Sequence, residues 1–297
     1  MIVRLKGGLG NQMFQYAFVR GLQEKYGVEN VSLDDSFYKN AGKVKVTQYG
    51  NSIDDFNVRY RKATREDIQR VCYFRHDQTP MTLRYRVPMA LEMLLNKNYF
   101  HVRDFKYKDP RELLKYQYLD GSWQSWKYLE GIEELLRKEF TRKTEVSKTL
   151  DEQIAKVQKE ESVFIGIRRG DYIINQANRT LYGFMSQNYY NTGIQLIKEK
   201  HPDSIFYVMS DDVGWVKENI AFNCPVVYRE DDMIGSASEE LVFMSSCKHA
   251  IIPNSTFHWW GAWLINNPDK IVVAPSQWFA NGTEIDILPP TWMMIER

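Results

Sequence analysis

Short β-branched apolar runs alternate along this chain with longer stretches whose apolar residues recur at helical spacing. Ile2–Leu5 predicts a first strand, and Lys6-Gly7-Gly8-Leu9-Gly10 a glycine-rich turn. Asn11–Tyr26 then carries Phe14, Ala17, Phe18 and Leu22 at the spacing of a helix that stops before Gly27. Residues 31–120 are less regular, with a strand at Val31–Leu33 and helices at Arg65–Val71 and Met81–Leu95; a further helix follows at Leu129–Phe140. The segment 141–161 is highly charged and reads as a solvated helix at a boundary between halves. From 162 onward the alternation is clean. Strands are expected at Val163–Ile167, Ile205–Met209, Val226–Tyr228, Ala250–Ile252 and Ile271–Ala274. Helices are expected at Gln187–Lys200 behind a Ser186 cap, and at Val213–Asn219, Glu239–Ser246 and Phe257–Ile265. Strands alternating with helices imply a parallel sheet with right-handed crossovers. The expected architecture is α/β, with domains at 1–155 and 156–297.

The chain has 297 residues and a formal net charge of +1. That balance implies no global attraction to polyanions, so a nucleic-acid partner is not expected. Any phosphate site must be a local cluster. Cys72, Cys224 and Cys247 are scattered and odd in number, which reads as free thiols in a reducing compartment. The apolar start is too short for a signal peptide. No run approaches the ~18 apolar residues of a membrane span. A cytoplasmic setting is therefore expected, and the triplets at Asn178, Asn254 and Asn281 are taken as chance matches to the glycosylation signal.

Three strand ends carry candidate chemistry. Arg168-Arg169-Gly170-Asp171-Tyr172 follows the strand at Val163–Ile167, where open α/β sheets bind ligands. Guanidinium forks match phosphate oxygens. Ser210-Asp211-Asp212 follows the next strand. There a carboxylate can read a guanine edge or a ribose, or simply cap the following helix. Asn254-Ser255-Thr256-Phe257 lies between a strand and a helix start, an anion site through free N–H groups, or again a cap. Trp259 and Trp260 read as packing residues. Gly8-Leu9-Gly10-Asn11-Gln12-Met13 begins like a dinucleotide fingerprint, but Met13 stands where the third glycine belongs, which disfavours a nicotinamide enzyme. Asn11 and Gln12 suit sugar hydroxyls, although Asn11 can also be a cap. The five histidines show no metal-ligand spacing, and adjacent aspartates alone make no divalent-metal site.

Taken together, Gly7–Ala17, Arg168–Tyr172, Phe206–Asp212 and Asn254–Trp263 resemble glycosyltransferase family 11, the α-1,2-fucosyltransferases, here of bacterial type. The motifs occur in the family's order and span almost the whole chain. The resemblance implies a GT-B-like fold of two Rossmann-like domains facing a central cleft, with donor GDP-β-L-fucose and inversion at the fucose anomeric carbon. It implies neither a metal nor another cofactor. It implies transfer to the 2-hydroxyl of a terminal β-galactoside, in bacterial glycan biosynthesis. Carried over by position, Arg168 clamps the β-phosphate, with Arg169 in support. Asp211 reads guanine or ribose; Ser255, Thr256 and Phe257 line the diphosphate, and Gly8, Gly10 and Asn254 are donor-binding. Asn11 lies near fucose and acceptor, and Gln12, Tyr172 and Tyr182 are on the acceptor side. Asp171 is either the general base or a brace for an arginine, and Lys6 can assist the leaving group. Two departures stand out. The family often has histidine two residues before the arginine pair, where this chain has Gly166. It often has His-Gly before the next helix, where this chain has Tyr182-Gly183. The loop Ile173–Phe184 is therefore expected to shape its own acceptor pocket. Another GDP-sugar transferase, or a non-catalytic nucleotide- or glycan-binding protein, are the competing readings. The pattern specifies neither the acceptor glycan nor an oligomeric state.

Overall fold

The structure is a computed structural model and describes residues 1–38, 50–74, 83–102, 104–170, 173, 176–229 and 235–297. The chain forms two compact units. The first comprises residues 1–143 and 285–287, the second 144–284 and 288–297.

Strands of the first unit are β1 (Ile2–Arg4), β2 (Ser32–Asp34), β3 (Arg61–Lys62), β4 (Tyr99–His101) and β5 (Tyr118–Asp120). They form one parallel sheet in the order β3-β2-β1-β5-β4. The helices are α1 (Leu9–Tyr26), α2 (Arg65–Val71), α3 (Leu83–Leu95), α4 (Pro110–Leu113) and α5 (Glu133–Glu139). β3, β4 and β5 are two or three residues long, too short to show a period, and the pattern over 31–120 did not reveal them. Helix α1 is buried on most of its circumference. It ends in a left-handed Gly27 (φ 65°), whose N–H bonds Gln23 O while Val28 N–H reaches back to Leu22 O. This is the glycine-terminated ending that the sequence predicts.

The second unit holds β6 (Ser162–Ile167), β7 (Ile205–Ser210), β8 (Val226–Tyr228), β9 (His249–Ile251), β10 (Val272–Pro275) and β11 (Met293–Ile295). Its parallel sheet runs β11-β10-β9-β6-β7-β8. The helices are α6 (Lys148–Lys159), α7 (Gln176–Tyr182), α8 (Gln187–Lys200), α9 (Val213–Asn219), α10 (Ala237–Ser246) and α11 (Thr256–Leu264). β6 is buried throughout, and its Val163, Ile165 and Ile167 pack with Tyr189, Ile194 and Ile197 of α8. Helix α6 shows why a charged stretch still folds: Leu150, Ile154 and Val157 bury one face while the rest meets solvent. Two parallel α/β units in one chain are the GT-B-like class expected.

Each strand order reverses once. The chain moves outward from β1 to β3 and returns to place β5 beside β1; it moves outward from β6 to β8 and returns to place β9 beside β6. Such reversals open crevices at the carboxyl ends of the strands, where ligands bind. In the second unit the crevice lies between the end of β6, at Arg168, and the end of β9, at Asn254. At the opposite end of β6, Glu161 bonds His249 Nε2 (2.6 Å) and Lys248 Nζ (3.0 Å), with His201 Nδ1 3.1 Å away. His249 Nδ1 accepts the Ile271 N–H, so Nε2 carries the proton donated to Glu161. This cluster is an ion-pair network tying strand starts together. Among the described residues no helix is long and apolar enough to cross a membrane.

Candidate active site

β6 and β7 run side by side in register, Ile167 against Ser210. Their next residues therefore meet. Arg168 Nη1 lies 2.8 Å from Asp211 Oδ2, both side chains about a quarter exposed. The same carboxylate accepts the N–H of Arg169 through Oδ1 (2.8 Å) and of Gly170 through Oδ2 (3.0 Å). Asp211 thus holds both the guanidinium and the turn that carries it. Arg169 turns elsewhere. Its Nε donates to Asp212 (3.0 Å) and its guanidinium lies 3.3 Å from the Trp215 ring centroid, a support for α9 and the turn. The cap of α9 is Asp212, through Trp215 N–H; Asp211 does not share that duty.

A cavity of about 420 Å³ opens beside this pair. Arg168, Ser210, Asp211 and Phe257 line it, with Arg229, Ser236, Glu240 and His258. Ser255 stands at the N-cap position of α11 without a side-chain cap bond, and its residue is buried. The first-turn N–H groups of a helix lack intrahelical partners, and α11 starts a few residues beyond the end of β9, which puts its first turn at the strand ends. Asn254 is buried, and its amide donates to the carbonyls of Tyr182 (2.7 Å) and Trp278 (2.9 Å). It fastens the loop that presents Ser255 and Thr256. Tyr182 packs its ring 5.4 Å from Phe279. Trp259 and Trp260 are fully buried, as their packing role requires. Asp171 and Tyr172 lie outside the described residues.

Two buried cations or cation-formers on this wall were not picked out by the motifs. Arg229 follows β8, so the strand-end logic applied to β6 and β7 reaches it too. Burial lowers its pKa to about 10, and the guanidinium stacks 3.8 Å from the Phe243 ring centroid. His258 is held neutral: burial, then the charge of Arg168, pulls its pKa down to about 3. No local signal marks His258, because its neighbour is Gly166, far away in sequence.

Asn11, Gln12, Gly8 and Gly10 belong to the first unit. Gly8 is the N-cap of α1, so Asn11 sits inside the first turn and does not cap it. Asn11 Oδ1 accepts from Gln124 Nε2 (2.8 Å). Gln12 is fully buried, and its amide bonds Gly7 O, Gly50 O and Ile53 N–H. It braces the glycine loop, and no amide hydrogen remains for an acceptor hydroxyl. Lys6 Nζ meets Asp120 Oδ1 at 2.5 Å, and Asp120 also receives Arg4 Nη1 (3.3 Å) and Tyr99 OH (3.0 Å). Burial alone would raise the pKa of Asp120, but Lys6 and Arg4 hold it well below the usual carboxylate range.

A doubly wound parallel unit with a guanidinium, a helix start and a cavity at its strand reversal has the features that suit a nucleotide-type anion in α/β proteins. The sequence comparisons make the class specific. The model of Glycosyl transferase family 11 matches residues 73–296, and the chain belongs to that family of glycosyltransferases. It is similar to the O-antigen biosynthesis glycosyltransferase WbnK of Escherichia coli, 31% identical over 97% of this chain and 98% of the relative. It is also similar to an alpha-1,2-colitosyltransferase of Escherichia coli, 30% identical over 100% and 99% of the two chains. Among solved structures, a mutant of Arabidopsis thaliana FUT1 in complex with GDP aligns with a TM-score of 0.49 and 12% identity. That alignment covers 93% of this chain and 71% of that one.

Proposed function

We propose that this chain transfers L-fucose from GDP-β-L-fucose, with inversion and without a metal, to the 2-hydroxyl of a terminal β-galactoside in a bacterial glycan. The carrying observation is Arg168, held by Asp211 at the strand reversal beside a cavity. In the reaction the acceptor oxygen forms a bond to fucose C1 while the bond from C1 to the β-phosphate oxygen breaks. GDP leaves with that electron pair, and the acceptor proton passes to a base or to solvent. Negative charge grows on the β-phosphate, where a preorganised guanidinium stabilises it most. Losing one such group typically costs about 10²–10³ in rate. Asp211 keeps Arg168 in place, and the first turn of α11 offers N–H groups to the diphosphate. Asn11 and Tyr182 are assigned to the fucose and acceptor side, and the reaction is placed in the cytoplasm.

The test is a GDP-fucose transfer assay against a panel of β-galactosides, with linkage analysis of the product and Arg168→Ala as the control. The expected product carries an α-1,2-linked fucose, and folded Arg168→Ala protein loses about 10²–10³ in turnover. Near-normal turnover in that variant sinks the assignment. A second reading follows from the full-length similarity to a colitosyltransferase: the donor sugar is colitose in place of fucose. Running both donors in the same panel separates the two. A protein that binds GDP and releases none from either donor is a binder.

A further inference from the structure

The cavity wall beside Arg168 contains an imidazole without a hydrogen-bond partner among the described residues. His258 is 3% exposed, and neither ring nitrogen has a hydrogen-bond partner among the described residues. Buried polar groups in folded proteins are nearly always bonded, so an orphan on the wall of a binding cavity calls for a physical reason. A partner that arrives with the ligand is such a reason.

The fold makes room for this ring specifically. A Cβ placed on Gly166 would overlap His258 Cδ2 and lie 2.7 Å from Cγ and 2.9 Å from Nε2. No side chain fits at 166 while the ring is present. Gly166 is therefore a close-approach glycine inside a strand, a position where glycine otherwise weakens the sheet. β6 leaves a gap two residues before Arg168, and α11 fills it with an imidazole. The ring lines the same cavity as Arg168, Ser210 and Asp211. Being neutral, it offers one N–H donor and one lone pair and does not repel the guanidinium next to it. A neutral donor beside a fixed cation suits a phosphate oxygen or a ribose hydroxyl.

We propose that His258 is a substrate-binding residue whose imidazole N–H donates to an oxygen of the nucleoside diphosphate held by Arg168, and that Gly166 is the gap that admits the ring. The proposal rests on the donor reading given above. It is tested by calorimetry with GDP as the probe on wild type, His258→Ala, Gly166→Ala and the double variant, each checked for folding by circular dichroism. His258→Leu keeps the volume and removes the donor, and carries the comparison should the alanine variant not fold. GDP affinity is expected to fall about 10–100-fold in His258→Ala or His258→Leu, the range for a hydrogen bond to a charged group. Gly166→Ala is expected to lose a similar amount, because its methyl displaces the ring. The double variant is expected to bind no more weakly than either single one, since the methyl then occupies empty space. A folded His258→Ala or His258→Leu protein with wild-type GDP affinity overturns the proposal and leaves the donor reading intact, and so do losses that add in the double variant. A wild type that does not bind GDP overturns the donor reading and this proposal together.

Discussion

Replacing Asp211 by asparagine tests whether this carboxylate is a brace or a base reader. In the wild type its two oxygens accept three donors: Arg169 N–H at 2.8 Å, Gly170 N–H at 3.0 Å and Arg168 Nη1 at 2.8 Å. Asparagine offers one oxygen and one NH2. Whichever way the amide turns, its NH2 faces at least one donor, and the charge that holds Arg168 is gone. One backbone N–H is left unbonded and a charge-assisted bond is lost. The side chain is 26% exposed, so water recovers part of this. The stability cost is then about 1–2 kcal/mol. Turnover suffers more, because a guanidinium displaced by about 1 Å can cost on the order of 10²-fold in rate. The assay is GDP release at saturating donor, paired with GDP and ADP competition. We expect kcat to fall about 10²-fold with the preference for GDP over ADP retained. Normal kcat with a lost preference would refute the bracing role and return Asp211 to reading guanine.

Asp120→Ala removes the anion that Arg4 and Lys6 share. Arg4 is fully buried, so breaking its buried pair with Asp120 should cost about 3–5 kcal/mol in the first unit, read by urea unfolding; an unchanged first transition contradicts this. His258 has a folded pKa of about 3, below its ordinary value of 6.5. Its contribution is complete above about pH 6.5. It is lost as pH falls toward 3, with a slope of at most ~1.4 kcal/mol per pH unit. Unfolding free energies measured between those limits should flatten in His258→Gln, and an unaltered slope refutes the assignment. Gly166→Ala should lower the melting temperature in the presence of His258 and have little effect in its absence, because the clash of the added methyl exists only with the ring.

Most of the alternation of strands and helices after residue 162 was legible in the chain, because β6, β7, β8 and β10 are apolar runs rich in β-branched residues set between helices; α7, inside the expected loop Ile173–Phe184, and β11, three residues without a period, were not. The strand-end positions of Arg168, Asp211 and Asn254–Phe257 were legible too, since a parallel sheet puts every such end on one side. The packing role of Trp259 and Trp260 was equally legible. The strands of the first unit after Leu33 were not, because they are two or three residues long and carry no period. What each polar group does was decided only by tertiary contacts. Gln12 and Asn254 have the chemistry of ligand contacts, and the fold uses the amide N–H groups of both to bond backbone carbonyls. Asp211 carries the chemistry of a guanine or ribose contact, and register with β6 also makes it a partner of Arg168. His258 and Gly166 are 92 residues apart in number (258 minus 166) and meet only when α11 packs on β6. Local periodicity sets which elements form and which ends face the ligand. Hydrogen-bond partners and close approach depend on pairs distant along the chain, and only the assembled sheet brings those together.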